Sequence, residues 1–385
     1  MRVAVVLTAR PSWAKLESVC RALKARPDVD LQIIACASAL LERYGRVVDA
    51  VRRDYPDTAI TECYTTYEGA NLETSAKETG ALLTELGGVL SRLSPDVGVV
   101  CADRHEVLAA AQACSYLHLR LVHLQGGERS GSIDDKVRDS ITQLADIHCV
   151  STERAKYRVY GLTGDWSCIW NTGCPSIDLA KQALSEPPVT WNEMGGAGVE
   201  FEEYPTPIVA WLQHPVTNEM AEAGAQMEAT AAALRDAPYD VVAFWPGEDA
   251  GADAMSKTLR LSQDWCHTIR NLPPSRFLRF LTQCACLVGN SSAGIREASY
   301  LGVPVVNIGT RQQGRERGPN VIGAPHDTLS IRASIEHQIA HGPYQSSTLY
   351  GLGNAGERIA EVIDGCARGF VPTGDVRRAD RASLV

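Results

Sequence analysis

Short runs of β-branched and other apolar residues, each set off from the next by a longer stretch with helical spacing, recur along this chain. No other feature restricts its fold as much. "RVAVVL" (2–7), "LQIIAC" (31–36), "VGVVCA" (97–102) and "LRLVHL" (119–124) are apolar without alternation, the pattern of strands covered on both faces. "AKLESVCRALKAR" follows the first run, "LETSAKETGALLTELGGVLSRL" precedes the third, and "HEVLAAAQACSYL" separates the third from the fourth. Such alternation reads as parallel crossovers in a doubly wound sheet.

The pattern breaks and restarts. Residues 184–207, "LSEPPVTWNEMGGAGVEFEEYPTP", are rich in Pro, Gly and acids without periodicity and read as a linker. "PIVAWL" (207–212), "DVVAFW" (240–245), "CACLVG" (284–289) and "VPVVNIG" (303–309) then supply a second strand set. The expected fold is α/β, with two Rossmann-like doubly wound domains facing across a cleft. Residues 1–185 and 206–360 are expected to form them, and 361–385 a C-terminal helix and tail that pack back on the first. A chain of 385 residues is long enough for two such cores.

Composition narrows the partners. With 45% hydrophobic and 22% charged residues the chain reads as soluble and globular. A formal charge of -9 gives no basic field for nucleic acid or anionic lipid, so neither is an expected partner. Residues 1–7 are apolar for too short a distance to be a secretory core, and there is no run of 18 apolar residues, so the expected location is cytoplasmic. The 12 cysteines are scattered without a CxxC pair, which points to reduced structural thiols and to no metal site.

Ligands of open α/β sheets sit at the carboxyl ends of the strands. In "TARPSWAKL" (8–16), Arg10 lies in the turn before a helix that Pro11 suits, and is either a phosphate contact or a surface arginine. In "CADRHEV" (101–107), Asp103 follows a buried strand and is either a partnered functional carboxylate, with Arg104 or His105 as partner, or a helix N-cap. "HLQGGERSGSIDDKVRDS" (123–140) carries two glycines that allow close backbone approach to a ligand. If a helix begins near Ser132, Asp134 and Arg138 share a face at i and i+4. The segment is open between structure and function.

"GNSSAGIREASYLGVPVVNIGTRQQGRERGPNV" (289–321) is the strongest local signal. Asn290 and the serines are expected to cap a helix, Gly294 to admit a phosphate or ribose, and Glu297 to accept hydrogen bonds from a ribose diol. Arg311, Arg315 and Arg317 follow the next strand and are expected to face the same cleft. His214, in "LQHPVTNE", follows the first strand of the second set and serves either phosphate or proton chemistry or structure.

Together these segments, with "GCPSIDLA", "WPGEDAGAD" and "YGLGNAGERIAEVI", resemble the UDP-N-acetylglucosamine 2-epimerase family. The likeness is to its hydrolysing branch, which makes N-acetylmannosamine for sialic acid and related sugars, and it covers roughly residues 1–365. It implies the GT-B arrangement, a UDP-sugar substrate, no metal or redox cofactor, and a homodimer or homotetramer. Carried over, Asp103, Gln125 and Asp134 match the three catalytic carboxylate positions, Arg138 supports Asp134, and Glu128 is a further catalytic candidate. Ser291, Ser292 and Gly294 would hold the diphosphate and Glu297 the ribose. Arg10, Lys15 and His214 would face the diphosphate and sugar, and Arg311 and Arg315 belong to the branch's marker motif. A GT-B-like enzyme that cleaves or transfers from a nucleotide donor without inverting C2 is the alternative.

Three positions depart from the family pattern. Gln125 stands where a "HIEGGE" type of run has Glu, and an amide accepts no proton at neutral pH. Ala102 stands where Gly usually precedes the aspartate, and "RPSWAKL" replaces a "RADY.KL" type of run, with Ser12 and Trp13.

Overall fold

The computed structural model describes residues 1–67, 71–131, 133–200, 207–247 and 251–367. Seven parallel strands form the first sheet: β1 (Arg2–Leu7), β2 (Asp30–Cys36), β3 (Ala59–Cys63), β4 (Val97–Cys101), β5 (Arg120–Leu124), β6 (Ile147–Val150) and β7 (Ile169–Asn171). Their order is β3-β2-β1-β4-β5-β6-β7. The second sheet contains β8 (Ala197–Gly198), β9 (Ile208–Leu212), β10 (Asp240–Phe244), β11 (His267–Ile269), β12 (Cys286–Gly289), β13 (Val305–Ile308) and β14 (Val321–Ala324). It is ordered β14-β13-β12-β9-β10-β11-β8, and among these strands β8 is the antiparallel one. Strand order reverses between β1 and β4 and between β9 and β12, which is where such folds bind ligands.

Alternation of side chains across each sheet explains the apolar runs. Val3, Val5 and Leu7 enter one core with Leu16, Val19 and Leu23 of the helix Arg10–Lys24. Ala4 and Val6 enter the opposite core, with Leu82 and Leu86 of the helix Leu72–Leu93. Ile208 and Ala210 are likewise separated from Val209 and Trp211 in the second lobe. Both faces are dry, so no alternation shows in the sequence.

The chain returns to its beginning. The helix Ala355–Ala367 sends Ile359 and Ile363 into the first lobe's core beside Leu16 and Leu23. Asp178, on the helix Pro175–Ala183, accepts hydrogen bonds from the Ala355 and Gly356 amides at 2.8 and 2.7 Å. That is a cap for the returning helix, and it gives "GCPSIDLA" and "YGLGNAGERIAEVI" a shared structural task.

Within the expected linker lie a short helix at Trp191–Met194 and β8, which joins the edge of the second sheet. Residues 201–206 within it and the tail from 368 lie outside the described residues. All twelve cysteines are buried free thiols. Among the described residues no helix is long and apolar enough to cross a membrane.

Candidate active site

Asp103 leaves the end of β4 and meets Arg138, which is 1% exposed on the helix Asp134–Leu144. Burial pushes the Asp103 carboxyl up, but Arg138, Arg315 and Lys15 outweigh it and hold the group well below the usual carboxylate range. The expected partners are otherwise engaged. Arg104 pairs with Glu106 at 3.0 Å, and His105 lies 3.3 Å from Glu78. Arg104, rather than Asp103, is the N-cap of the following helix.

Arg138 also departs from the expected pairing. Its partner on its own helix is Asp135 at 2.7 Å, three residues away, and not Asp134. Both spacings face one side of a helix, but Asp135 is the carboxylate turned inward. It accepts from the Ser130 and Gly131 amides at 2.7 and 2.9 Å and closes the loop before the helix. Asp134 is half-buried at the first helical position, and Ser132, the expected helix start, lies outside the described residues.

Gln125 follows β5 with φ +64°, a left-handed conformation rare for side-chain-bearing residues. It is 1% exposed, and its Nε2 donates to Cys174 Sγ at 2.9 Å. Its Oε1 has no partner among the described residues. Ala102, at φ +71°, shares this strain one strand away, which is the physical reason a glycine suits that position. His123 holds the Ala102 carbonyl through Nε2 at 3.0 Å, and burial pushes its pKa down to about 4, leaving a neutral ring.

The two glycines after Gln125 serve packing rather than ligand approach. A Cβ on Gly127 would stand 2.3 Å from the Ala155 carbonyl oxygen, and one on Gly126 would stand 3.0 Å from His123. Gly294 is similar, because its Cβ would meet Val305 Cγ1 at 3.0 Å on the sheet side. Close approach is required there, but to the fold's own atoms.

Glu128 crosses between the lobes. Its Oε2 receives Arg296 Nη2 and, at 2.6 Å, Arg315 Nη1. Burial raises its pKa, yet Arg296, Arg315 and Arg138 bring it down to about 2. Arg315 is therefore at the cleft as expected, with Arg311, which donates to the Asn290 carbonyl at 3.2 Å. Arg317 is exposed and lies against Gly323 of β14.

On the second lobe, Ser291 is the N-cap and accepts from the Ala293 amide at 3.3 Å. Asn290 has a different task from the one expected. Its side chain accepts from the His214 amide and donates to the His214 carbonyl, both at 2.8 Å, fixing the end of β9 to the end of β12. His214 Nδ1 accepts from the Gly247 amide at 3.0 Å, so the proton of the neutral ring sits on Nε2. The expected single helix is broken at Arg296 into Ser292–Ile295 and Glu297–Leu301, so Glu297 opens the second piece. Glu297 is 9% exposed and its Oε2 lacks a partner among the described residues.

Arg10 reaches the other lobe and donates to the Leu272 carbonyl; Lys15, half-buried one turn later, acts on Asp103. Sequence reasoning missed Arg296, Cys174 and Asp135. All three sit inside quoted motifs, and only a fold that brings Glu128 to Arg296, Gln125 to Cys174 and the Ser130 and Gly131 amides to Asp135 gives them meaning. Within "WPGEDAGAD", residues 248–250 lie outside the described residues.

Comparison with known proteins shows the family and the fold. The family model described as UDP-N-acetylglucosamine 2-epimerase matches residues 21–364. The chain is 30% identical to a UDP-N-acetylglucosamine 2-epimerase of Neisseria meningitidis, over 94% of this chain and 95% of the relative. It is 28% identical to a UDP-N,N'-diacetylbacillosamine 2-epimerase (hydrolyzing) of Legionella pneumophila, with coverage of 94% and 95%. In fold it is similar to the N. meningitidis UDP-GlcNAc 2-epimerase bound to UDP-GlcNAc, with a TM-score of 0.77 at 17% identity and coverage of 94% and 99%. It is also similar to the S. aureus MnaA–UDP co-structure, with a TM-score of 0.78 at 16% identity and coverage of 95% and 97%. A two-lobed α/β fold, acids at the strand ends of one lobe, a serine turn on the other and a family match across most of the chain lead to one assignment: this chain belongs to the UDP-N-acetylglucosamine 2-epimerase family.

Proposed function

We propose that this chain is a hydrolysing nucleotide-sugar 2-epimerase that converts UDP-N-acetylglucosamine, or a close derivative, to N-acetylmannosamine and UDP through a glycal. The observation that carries this reading is the Asp103 carboxylate at the end of β4, ion-paired with the buried Arg138, with Arg315 of the other lobe adding to the charge that keeps it ionised. The C2 proton of the sugar is not acidic, so the C1–O bond to UDP breaks first and positive charge develops near C1. A fixed carboxylate stabilises that charge. The departing diphosphate goes to Ser291, Ser292, Arg10 and the Nε2–H of His214, while Glu297 takes the ribose hydroxyls; Lys15 and Arg311 add positive charge nearby.

A base then removes the C2 proton and leaves the glycal. Gln125 cannot do this, and Glu128, committed to two arginines, is a poor acceptor. Asp103, paired with Arg138 and held lower still, is a poor acceptor too, so Asp134 takes the proton. Water adds at C1 of the glycal as a proton returns to the opposite face of C2, which gives the inverted free sugar. This route calls for no metal or redox cofactor. The relatives named as 2-epimerases of acetamido sugars support the substrate class.

One observation favours a second reading, in which a nucleotide donor is cleaved or its group transferred without C2 inversion: the amide of Gln125 rests on Cys174 at a position where the family has a carboxylate. Incubation with a panel of UDP-, GDP- and CMP-sugars, followed by mass spectrometry, tests the first reading. Free UDP and free N-acetylhexosamine in equal amounts are expected from the UDP-N-acetylglucosamine type of donor, and no release from that donor refutes it. We place the enzyme in the cytoplasm as a homodimer or homotetramer, which light scattering of the eluted protein would read.

A further inference from the structure

Arg296 takes no part in the chemistry above, yet it is a buried cation at the lobe contact. It lies at the break between two short helices and is 2% exposed. A buried guanidinium needs partners. Only Nη2 has one, the Glu128 carboxylate of the other lobe, while Nε and Nη1 have none among the described residues. Its Cζ lies 6.0 Å from the centre of the Tyr350 ring, within cation–π reach. Tyr350 is itself fixed, its hydroxyl donating to the Glu316 carbonyl and its own carbonyl accepting from the Cys174 amide, both at 2.7 Å.

The Glu128 oxygen that receives Arg296 also receives Arg315. Arg315 is in turn one of the cations that hold Asp103 ionised. Contacts thus run from Arg296 to Glu128 and Arg315, and by charge to Asp103. We propose that Arg296 is a positioning residue, which holds Glu128 across the lobes and so sets the place of Arg315 against Asp103. A side chain that only filled space would leave the charge at Asp103 untouched. Its turnover arm rests on the epimerase reading; its titration arm does not.

The test uses Arg296→Gln, Arg296→Lys, Glu128→Gln and the Arg296→Gln/Glu128→Gln double variant of the full chain. Arg296→Gln is expected to lower kcat about 10- to 100-fold while KM, and the Kd for UDP by calorimetry, move less than about threefold. Because both residues act on one contact, the double variant is expected to be no slower than the slower single. With only one nitrogen of Arg296 engaged, the lysine ammonium is expected to restore most of the loss. Independently of any turnover, the Asp103 carboxyl in Arg296→Gln, followed by carbon NMR, is expected to titrate higher than in the wild type by about half a unit or more. Unchanged kcat and unchanged titration overturn the proposal, as do multiplying losses in the double variant or loss of UDP binding together with turnover. If the wild type releases UDP from no donor, the epimerase reading fails, and the titration alone decides this one.

Discussion

The two lobes end their strands differently. After β4 and β5 the left-handed positions are occupied by Ala102 and Gln125, at φ +71° and +64°. At the end of β12 and after β13 they are occupied by Gly289 and Gly309, at φ +138° and +69°. Gly289 has no alternative, since a Cβ would fall 2.0 Å from the Leu212 carbonyl oxygen. A side chain in left-handed backbone costs roughly 1–2 kcal/mol per residue, and the first lobe carries that cost twice beside its acids. Contacts such as His123 on the Ala102 carbonyl and the Gln125 amide on the Cys149 carbonyl, at 3.0 and 2.9 Å, keep both in place. Strain held by surrounding contacts is common at reacting sites. The lobe we assign to the nucleotide instead combines relaxed glycines with a side-chain clamp, Asn290 on His214.

The sharpest way to break this division is Asp103→Asn, which is expected to lower UDP release at least about 1000-fold by removing the charge that faces C1. The Kd for UDP should stay near that of the wild type, because the nucleotide groups lie on the other lobe. Turnover at the wild-type rate would remove Asp103 from the site. The mirror experiment is Glu297→Ala, expected to weaken UDP binding about 10- to 100-fold in calorimetry through loss of charge-assisted hydrogen bonds, with kcat at saturating donor changed far less. A fall in kcat alone would reverse the assignment of the lobes.

Acid should act at the seam between them. Glu128 has its pKa depressed to about 2 from an ordinary 4.5, so the unfolded chain binds the extra proton. Its stabilisation is complete above the unfolded value and is lost as pH falls from about 4.5 towards about 2. Asp103, depressed further, adds to the same slope. Thermal melts between neutral pH and pH 3 should show the decline, and Glu128→Gln should show less of it. The smallest effect expected is from Ala102→Gly, a gain of about 0.5–1 kcal/mol from relief of the positive φ, read as a modest rise in Tm with kcat retained. A loss of stability would mean that Ala102 is not strained.

The long interior strands and helices of both lobes are legible because a buried parallel strand must be apolar throughout. The helix Leu72–Leu93 and the strand Arg2–Leu7 coincide with their sequence patterns. Six strands escape, namely β3, β6, β7, β8, β11 and β14. They have only two to five residues, and edge strands such as "AITEC" mix polar and apolar residues because one side is open. The acids and serines of the site stand out at strand ends, where a polar residue after an apolar run is conspicuous. Partners are not legible in this way. Spacing pairs Arg138 with Asp134, yet the Ser130 and Gly131 loop amides turn Asp135 inward to it; Glu128 and Arg296, 168 residues apart, meet only once the lobes are in place. The packing roles of Gly126, Gly127 and Gly294 are not legible either, because sequence reveals the need for space, not the atom that fills it.

On the proposed route, charge on the first lobe shelters C1 while the second lobe receives the diphosphate, and C2 is inverted in consequence. Incubation with UDP-N-acetylglucosamine in D2O, followed by proton NMR, tests this most directly. Free N-acetylmannosamine carrying deuterium at C2 is expected, one for each UDP released. Free N-acetylglucosamine that keeps its C2 proton would contradict it.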